Sequence, residues 1–136
     1  MLIDKELEFS SAQLLTASAK STNHLDTQAA GRAINELWLV ALIPVVLDSA
    51  AEAATLTIAL RTAAALDVSS LLDTPTTLYA TAAIAEATLV AGYVAVKMRL
   101  PEGLLRYIDL YYTVGTEDFT SGSIDAFLTM NPELWY

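Results

Sequence analysis

The fold is decided by residues 100–116, which read LPEGLLRYIDLYYTVGT. A proline and a glycine interrupt the start of this stretch, and residues 107–114 are rich in aromatic and β-branched side chains. Such a composition after turn residues is typical of a β-strand. We therefore predict a strand over residues 107–114, a polar loop over residues 115–122 and a final strand over residues 123–130.

Alternation of side chains predicts further strands. Apolar residues recur at every second position in residues 55–60 and 93–100, the period of a half-buried strand. Residues 37–43 are apolar throughout, as in a strand that is covered on both faces. Pro44 is expected to stop that strand or to place it at a sheet edge, because proline donates no hydrogen bond to the ladder. Residues 11–27 are predicted to hold two short strands around a turn.

Two segments fit this pattern less well. Residues 48–54 form either a helical turn capped by Asp48 or a loop, and residues 82–91 can form a short helix. About eight short strands separated by turn residues nevertheless predict an all-β fold, a single-domain β-sandwich of jelly-roll type over residues 1–136. In this prediction residues 1–9 form an extended arm and residues 131–136 a short contact tail.

Composition excludes several classes of protein. The 136 residues include no cysteine, which rules out disulfides, thiolate metal sites and thiol nucleophiles. Hydrophobic residues make up 54% of the chain, yet the longest apolar stretch, residues 37–47, is shorter than the ~20 residues that cross a bilayer. Charged residues interrupt the first residues, so no signal peptide is expected. We expect a soluble protein without a membrane partner.

Charge limits the partners. The formal net charge is −9, and the seven lysines and arginines form no cluster. Such a chain repels phosphate backbones, so nucleic-acid binding is disfavoured and a basic protein surface or a cation is the easier partner.

Residues suited to catalysis are scarce. The single histidine, His24, is expected at the surface or on an edge strand, and one imidazole does not make a metal centre of the cupin kind. Glu117 and Asp118 lie in the predicted loop, but their spacing matches no calcium-binding pattern and they are expected to be solvated. We therefore predict no enzymatic activity, no catalytic or metal-ligating residue and no cofactor.

Aromatic residues suggest contact surfaces. Tyr107, Tyr111 and Phe127 fall on the faces of their strands opposite the regular apolar positions. They form either a second apolar patch that meets a partner or part of a thick core that a loop covers. The chain ends on Trp135 and Tyr136, and aromatic residues in a tail usually dock on their own domain or on a neighbour.

Three parts of the chain resemble the small cement, or decoration, proteins that coat the heads of some tailed bacteriophages. They are residues 100–129, the opening residues 1–13, and residues 54–60 with the following Thr62. The resemblance implies a jelly-roll fold and a structural role in the virion. It also implies binding to the outside of the capsid, where the protein bridges neighbouring major capsid subunits and stabilises the head against the pressure of the packaged DNA.

On this basis we expect a homo-oligomer, a dimer rather than a trimer, that contacts the major capsid protein. The candidate contact residues lie in both chain ends, in the last two strands and in the loop between them: Leu2, Ile3, Lys5, Leu7, Phe9, Tyr107, Tyr111, Glu117, Asp118, Phe119, Leu134, Trp135 and Tyr136. One alternative is a carbohydrate-binding surface or tail module of a virion that uses tryptophan and tyrosine faces. Another is a small jelly-roll enzyme.

Overall fold

The computed structural model describes residues 7–28 and 37–130. Among them no helix is long and apolar enough to cross a membrane. The described elements are strands β1 (Glu8–Leu14), β2 (Ala19–Lys20), β3 (Leu25–Asp26), β4 (Trp38–Ser49), β5 (Thr55–Ala63), β6 (Thr76–Ala80), β7 (Ile84–Ala85), β8 (Val94–Arg99), β9 (Tyr107–Gly115) and β10 (Phe119–Thr129), with a 3₁₀ turn at Glu86–Thr88.

These strands form two antiparallel sheets. Sheet 1 has the order β1-β10-β4-β8, and sheet 2 has the order β2-β9-β5-β6, with β3 also paired to β9 and β7 to β5. The prediction of an all-β sandwich is confirmed. Strand β4 runs from one end of the sandwich to the other, so we call these ends the Trp38 end and the Ser49 end.

One hydrophobic core lies between the sheets, because alternate side chains of each strand point inward. The largest contributions come from β4, β5, β9 and β10. Their core residues are Leu39, Ala41, Ile43, Leu47, Leu56, Ile58, Leu60, Ile108, Leu110, Tyr112, Phe119, Ile124, Ala126 and Leu128. The buried hydroxyl groups of Tyr112 and Ser10 lie 2.7 Å apart and share a hydrogen bond. Burial raises the pKa of Tyr112.

Pro44 does not stop its strand. Strand β4 continues to Ser49, and Pro44 lies where the register between β4 and β10 shifts, between the Leu42–Asp125 and Val45–Ser123 pairs. The last register pair of β4 with β8 joins Leu42 to Val94. A bulge tolerates proline because the ladder is already interrupted there. Both predicted alternatives for Pro44 were therefore wrong: the strand does not end at Pro44, and β4 lies between β10 and β8, not at a sheet edge.

The loop before the last strand is shorter than predicted. Strand β10 begins at Phe119, so the loop consists of residues 116–118. Gly122 lies inside this strand with φ +101°, and a Cβ there would collide with the carbonyl oxygen of Val46. The glycine marks a close approach of β10 to β4 and not the end of a loop. At the other end of β10, Met130 was included in the predicted strand, but β10 ends at Thr129 and Met130 is 67% exposed.

The remaining differences are local. The two short strands predicted within residues 11–27 are present as β2 and β3, but both pair with β9 and together form one interrupted edge strand. Residues 50–54 form a turn and loop, not a helix, and the Glu86–Thr88 turn is the helical part of residues 82–91. Glu8 and Phe9, predicted to belong to an arm, lie in β1. The tail predicted at residues 131–136 lies outside the described residues.

Candidate functional site

The outer face of sheet 2 carries a cluster of tyrosines and arginines that we call the tyrosine–arginine face. It consists of Tyr107, Asp109 and Tyr111 of β9, Arg61 of β5, and the neighbouring Arg106 and Asp26. Alternation places Tyr107, Asp109 and Tyr111 outward, since Ile108 and Leu110 between them are buried in the core. The register then sets Arg61 directly opposite Asp109.

An ion pair occupies the middle of this face. Arg61 Nε donates to Asp109 Oδ1 at 2.9 Å, and Arg61 Nη2 donates to Asp109 Oδ2 at 2.7 Å. The side chain of Asp109 is 1% exposed and that of Arg61 is 20% exposed. The guanidinium carbon of Arg61 lies 4.7 Å from the ring centroid of Tyr111. One arginine therefore neutralises a buried carboxylate and also fixes a tyrosine ring.

The same arrangement is repeated at the Trp38 end of the face. Arg106 Nε and Nη2 donate to the two carboxylate oxygens of Asp26 at 2.8 and 3.0 Å. The guanidinium carbon of Arg106 lies 5.0 Å from the ring centroid of Tyr107, and His24 packs edge-on against that ring at 5.9 Å. Hydrogen bonds from Arg106 and from the Gln28 amide lower the pKa of Asp26 to about 2. Asp26 is therefore ionised at neutral pH.

The geometry of the tyrosine–arginine face suits contact with a protein surface. Tyr107 and Tyr111 are half-buried, so each ring is ordered yet still reachable. Tyrosine and arginine are enriched among the residues that dominate binding energy at protein interfaces. Because bidentate hydrogen bonds already hold both guanidinium groups, a partner would order few additional rotatable bonds on this face.

The structure places the other candidate contact residues differently. Phe9 and Phe119 are 0% and 2% exposed and belong to the core, so neither is available to a partner in the folded chain. Leu7 packs against the core. Phe127 is buried on the outer face of sheet 1, the sheet that does not carry Tyr107 and Tyr111. The patch that was predicted from the three aromatic residues is therefore not one surface.

Six of the candidate contact residues lie outside the described residues: Leu2, Ile3, Lys5, Leu134, Trp135 and Tyr136. The described residues that follow or precede them in the sequence lie at one end of the sandwich. Glu8 pairs with Phe127, and Thr129 pairs with Trp38. The first and last described strands therefore begin and end, respectively, at the Trp38 end, the end at which Tyr107 lies.

Glu117 has a structural role at the Ser49 end. Its carboxylate accepts hydrogen bonds from the Ala51 and Ala53 amides at 3.0 and 3.1 Å and from the Ser49 hydroxyl at 2.5 Å. The bond from Ser49, followed by that from Ala53, lowers the pKa of Glu117. Asp118, by contrast, is exposed, as expected for solvated loop charge.

Sequence reasoning missed Glu86. This residue begins the 3₁₀ turn and lies beside Ser49 of β4. Its carboxylate accepts hydrogen bonds from the Ser49 amide at 2.9 Å and from the Ala54 amide at 3.3 Å. It also contacts the Ser49 hydroxyl, whose single proton it shares with Glu117. Burial alone would raise the pKa of Glu86, but these hydrogen bonds outweigh burial and lower it. Within residues 7–28 and 37–130, no group of three or more histidine, cysteine or acidic residues is arranged to hold a metal ion.

Arg61, Asp109, Arg106 and Asp26 were also missed. The sequence signal that could have found Arg61 and Asp109 was the alternation of inward and outward positions along a strand. Both residues occupy outward positions, and the inward residues of their strands are apolar. Their pairing could not be read from either strand alone, since it requires the register between β5 and β9.

Comparison with known proteins gives one family. No curated protein matches the chain at a significant level. The family model described as Bbp16 matches residues 9–128, a range that contains nearly all of β1 and β10 and every strand between them. Because this match covers most of the 136 residues, the chain belongs to the Bbp16 family.

Proposed function

We propose that this protein is a structural virion protein that binds the outside of a tailed-phage capsid and cements neighbouring major capsid subunits. The resemblance of residues 1–13, 54–60 and 100–129 to capsid cement proteins supports the proposal. The all-β sandwich is compatible with the fold that this resemblance implies. The proposed role requires no catalytic residue, cofactor or metal, and the proposed location is the outer surface of the capsid.

The observation that carries the proposal is the tyrosine–arginine face. Two tyrosines and two arginines occupy one outer sheet face, and carboxylates hold both arginines in place. These side chains lie on the side of the sheet that faces away from the core residues. A fixed set of interface-forming side chains on an outer face is what an adhesive protein needs.

The mechanism we propose is multivalent adhesion. Each copy contacts the shell and other copies, and every bridge adds contacts that must break before capsid subunits separate. Homo-oligomers, dimers rather than trimers, are part of this proposal. The described chain begins and ends near the Trp38 end, the same end of the sandwich as Tyr107.

We also propose that the sandwich is of jelly-roll type. The chain passes between the sheets repeatedly: β1, β4, β8 and β10 lie in sheet 1, whereas β2, β3, β5, β6, β7 and β9 lie in sheet 2. Neighbouring strands within each sheet are thus seldom consecutive in the chain, which is a property of folds built from Greek keys.

A carbohydrate-binding module is the alternative, and the geometry of the aromatic rings favours it less. A sugar stacks on an open aromatic face, but guanidinium groups lie over the rings of Tyr107, Tyr111 and Trp38. One face of each ring is therefore already occupied.

Co-sedimentation with empty capsids of the major capsid protein from the same phage tests the proposed function. The wild-type chain should bind, and Tyr107→Ser with Tyr111→Ser should lower capsid occupancy at least tenfold, since each anchor is expected to contribute about 1 kcal/mol or more. Tyr79→Ser is the matched control, because Tyr79 is 38% exposed on the same sheet but outside the face. Equal occupancy by all three proteins would refute the role of this face, and no binding by the wild type would refute the function.

A further inference from the structure

An apolar groove with an acidic rim lies at the Ser49 end of the sandwich, away from the tyrosine–arginine face. Its volume is about 290 Å³, and its lining residues are Val46, Leu47, Asp48, Glu52, Glu86, Ala87 and Val90. Two of the apolar side chains face solvent, since Val46 is 45% and Val90 50% exposed. We call this feature the acidic groove.

The acidic groove is held rigidly. The Leu47 amide donates to the Leu89 carbonyl at 3.1 Å, which ties β4 to the 3₁₀ turn. Glu86 binds the Ser49 and Ala54 amides, and Glu117 binds the amides of the adjoining turn. Both walls therefore keep their positions before any partner arrives, which lowers the entropic cost of binding.

Charge is distributed unevenly along the sandwich. The lining of the acidic groove includes three acidic residues and no lysine or arginine, and Glu117 adds a fourth carboxylate beside Ser49. The described basic residues of β5 and β8 lie toward the other end: Arg61 pairs with Asp109, Lys97 with Val40, and Arg99 with Trp38. The Ser49 end is thus an acidic surface in a chain whose net charge is already −9.

We propose that the acidic groove binds a segment of a partner protein in which lysine or arginine alternates with apolar side chains. Apolar side chains of the segment would pack against Val46, Ala87 and Val90, while its cations would face the exposed carboxylates of Asp48 and Glu52. Charge complementarity favours this occupant, because an acidic or neutral segment would leave the carboxylates at the rim without a counter-ion as water is displaced.

This groove gives the molecule a second contact surface at the end opposite the Trp38 end. A cement protein needs at least two separated contacts to bridge neighbouring subunits. The identification of the partner as the major capsid protein rests on the proposed function. Binding of a cationic, apolar segment by the groove does not.

The first test uses the ¹⁵N-labelled full-length chain at low salt. The probes are short, capped peptides of alternating valine and lysine, valine and glutamate, or serine and lysine. The valine–lysine peptide should shift the amide resonances of Val46, Glu52, Ala87 and Val90, and the other two should bind at least tenfold more weakly. No binding of the valine–lysine peptide, or shifts confined to the tyrosine–arginine face, would overturn the proposal.

A matched pair of variants sharpens the test. Val90→Lys places a cation at the rim and should weaken binding of the valine–lysine peptide about tenfold or more. Val68→Lys makes the same chemical change at a fully exposed valine in the loop that follows β5 at the other end, and it should bind as the wild type does. Equal loss in both variants would overturn the proposal. So would a dimer of the free chain that Val90→Lys dissociates, because the occupant would then be a second copy.

Capsid co-sedimentation separates the two proposals. If the wild-type chain binds the peptide but no capsid, the proposed function fails and the groove stands. If the chain binds capsids but not the valine–lysine peptide, the groove fails and the proposed function stands. If the wild-type chain binds both the valine–lysine peptide and capsids, Val90→Lys should lower capsid occupancy and Val68→Lys should not.

Discussion

Replacing Arg61 with methionine should destabilise the fold by about 3 kcal/mol, because the carboxylate of Asp109 is left without its cation. That carboxylate is 1% exposed and accepts both of its side-chain hydrogen bonds from Arg61. Loss of one partner of a buried ion pair costs about 3–5 kcal/mol. The lower end applies here, since the Arg61 side chain is 20% exposed and water screens part of the pair.

The reciprocal change should cost less. Asp109→Leu leaves Arg61 able to turn toward water, and we expect a loss of about 1–2 kcal/mol. The double variant replaces the ion pair with two apolar side chains and should return to within about 1 kcal/mol of the wild type. The coupling energy between the two sites should therefore exceed about 2 kcal/mol.

Urea unfolding at neutral pH, followed by circular dichroism, measures all four free energies of unfolding. The comparison holds if the dependence on urea is the same in each protein, because equal slopes indicate equal exposure of surface on unfolding. Additive effects of Arg61→Met and Asp109→Leu, or a loss below about 1 kcal/mol for Arg61→Met, would refute the reasoning. The tyrosine–arginine face would then not be held by this ion pair.

Three further outcomes are expected. The low pKa of Asp26, about 2, means that its ion pair with Arg106 stabilises the fold above about pH 4, and that this stabilisation is lost as pH falls toward 2. The difference in melting temperature between the wild type and Asp26→Asn should shrink over that range, whereas a constant difference would contradict the assignment. Gly122→Ala should destabilise far more than Gly103→Ala, because both glycines have positive φ but only at Gly122 would a Cβ meet backbone, the carbonyl of Val46; equal melting temperatures would show that β10 does not approach β4 so closely. Treatment with EDTA should leave the melting temperature unchanged, and a fall of several degrees would instead indicate a cation held by carboxylates.

Alternation predicted the strands well where one face meets the core. Strands β5 and β8 were recognised because apolar side chains recur at every second position, and the structure buries Leu56, Ile58 and Leu60 accordingly. Strand β9 was recognised from its aromatic and β-branched composition. The outward position of Tyr107 and Tyr111 followed from alternation. A period of two fixes which face a side chain occupies, and that much is local information.

Contacts between strands could not be predicted in the same way. The Arg61–Asp109 pair depends on the register of β5 against β9, and Phe119 was read as part of a loop because Gly122 follows it. Pro44 was predicted to mark a strand end or a sheet edge, because nothing in the sequence reveals that the register between β4 and β10 shifts at that position. Each of these features is set by a partner strand distant in sequence.

A cryo-EM map of a tailed-phage head that carries this protein tests the capsid-cement proposal most directly. The expected map shows the sandwich outside the shell, over the junctions between major capsid subunits, with Tyr107 and Tyr111 in contact with a neighbouring protein. Density for the protein elsewhere in the virion, or a tyrosine–arginine face open to solvent in every copy, would contradict it.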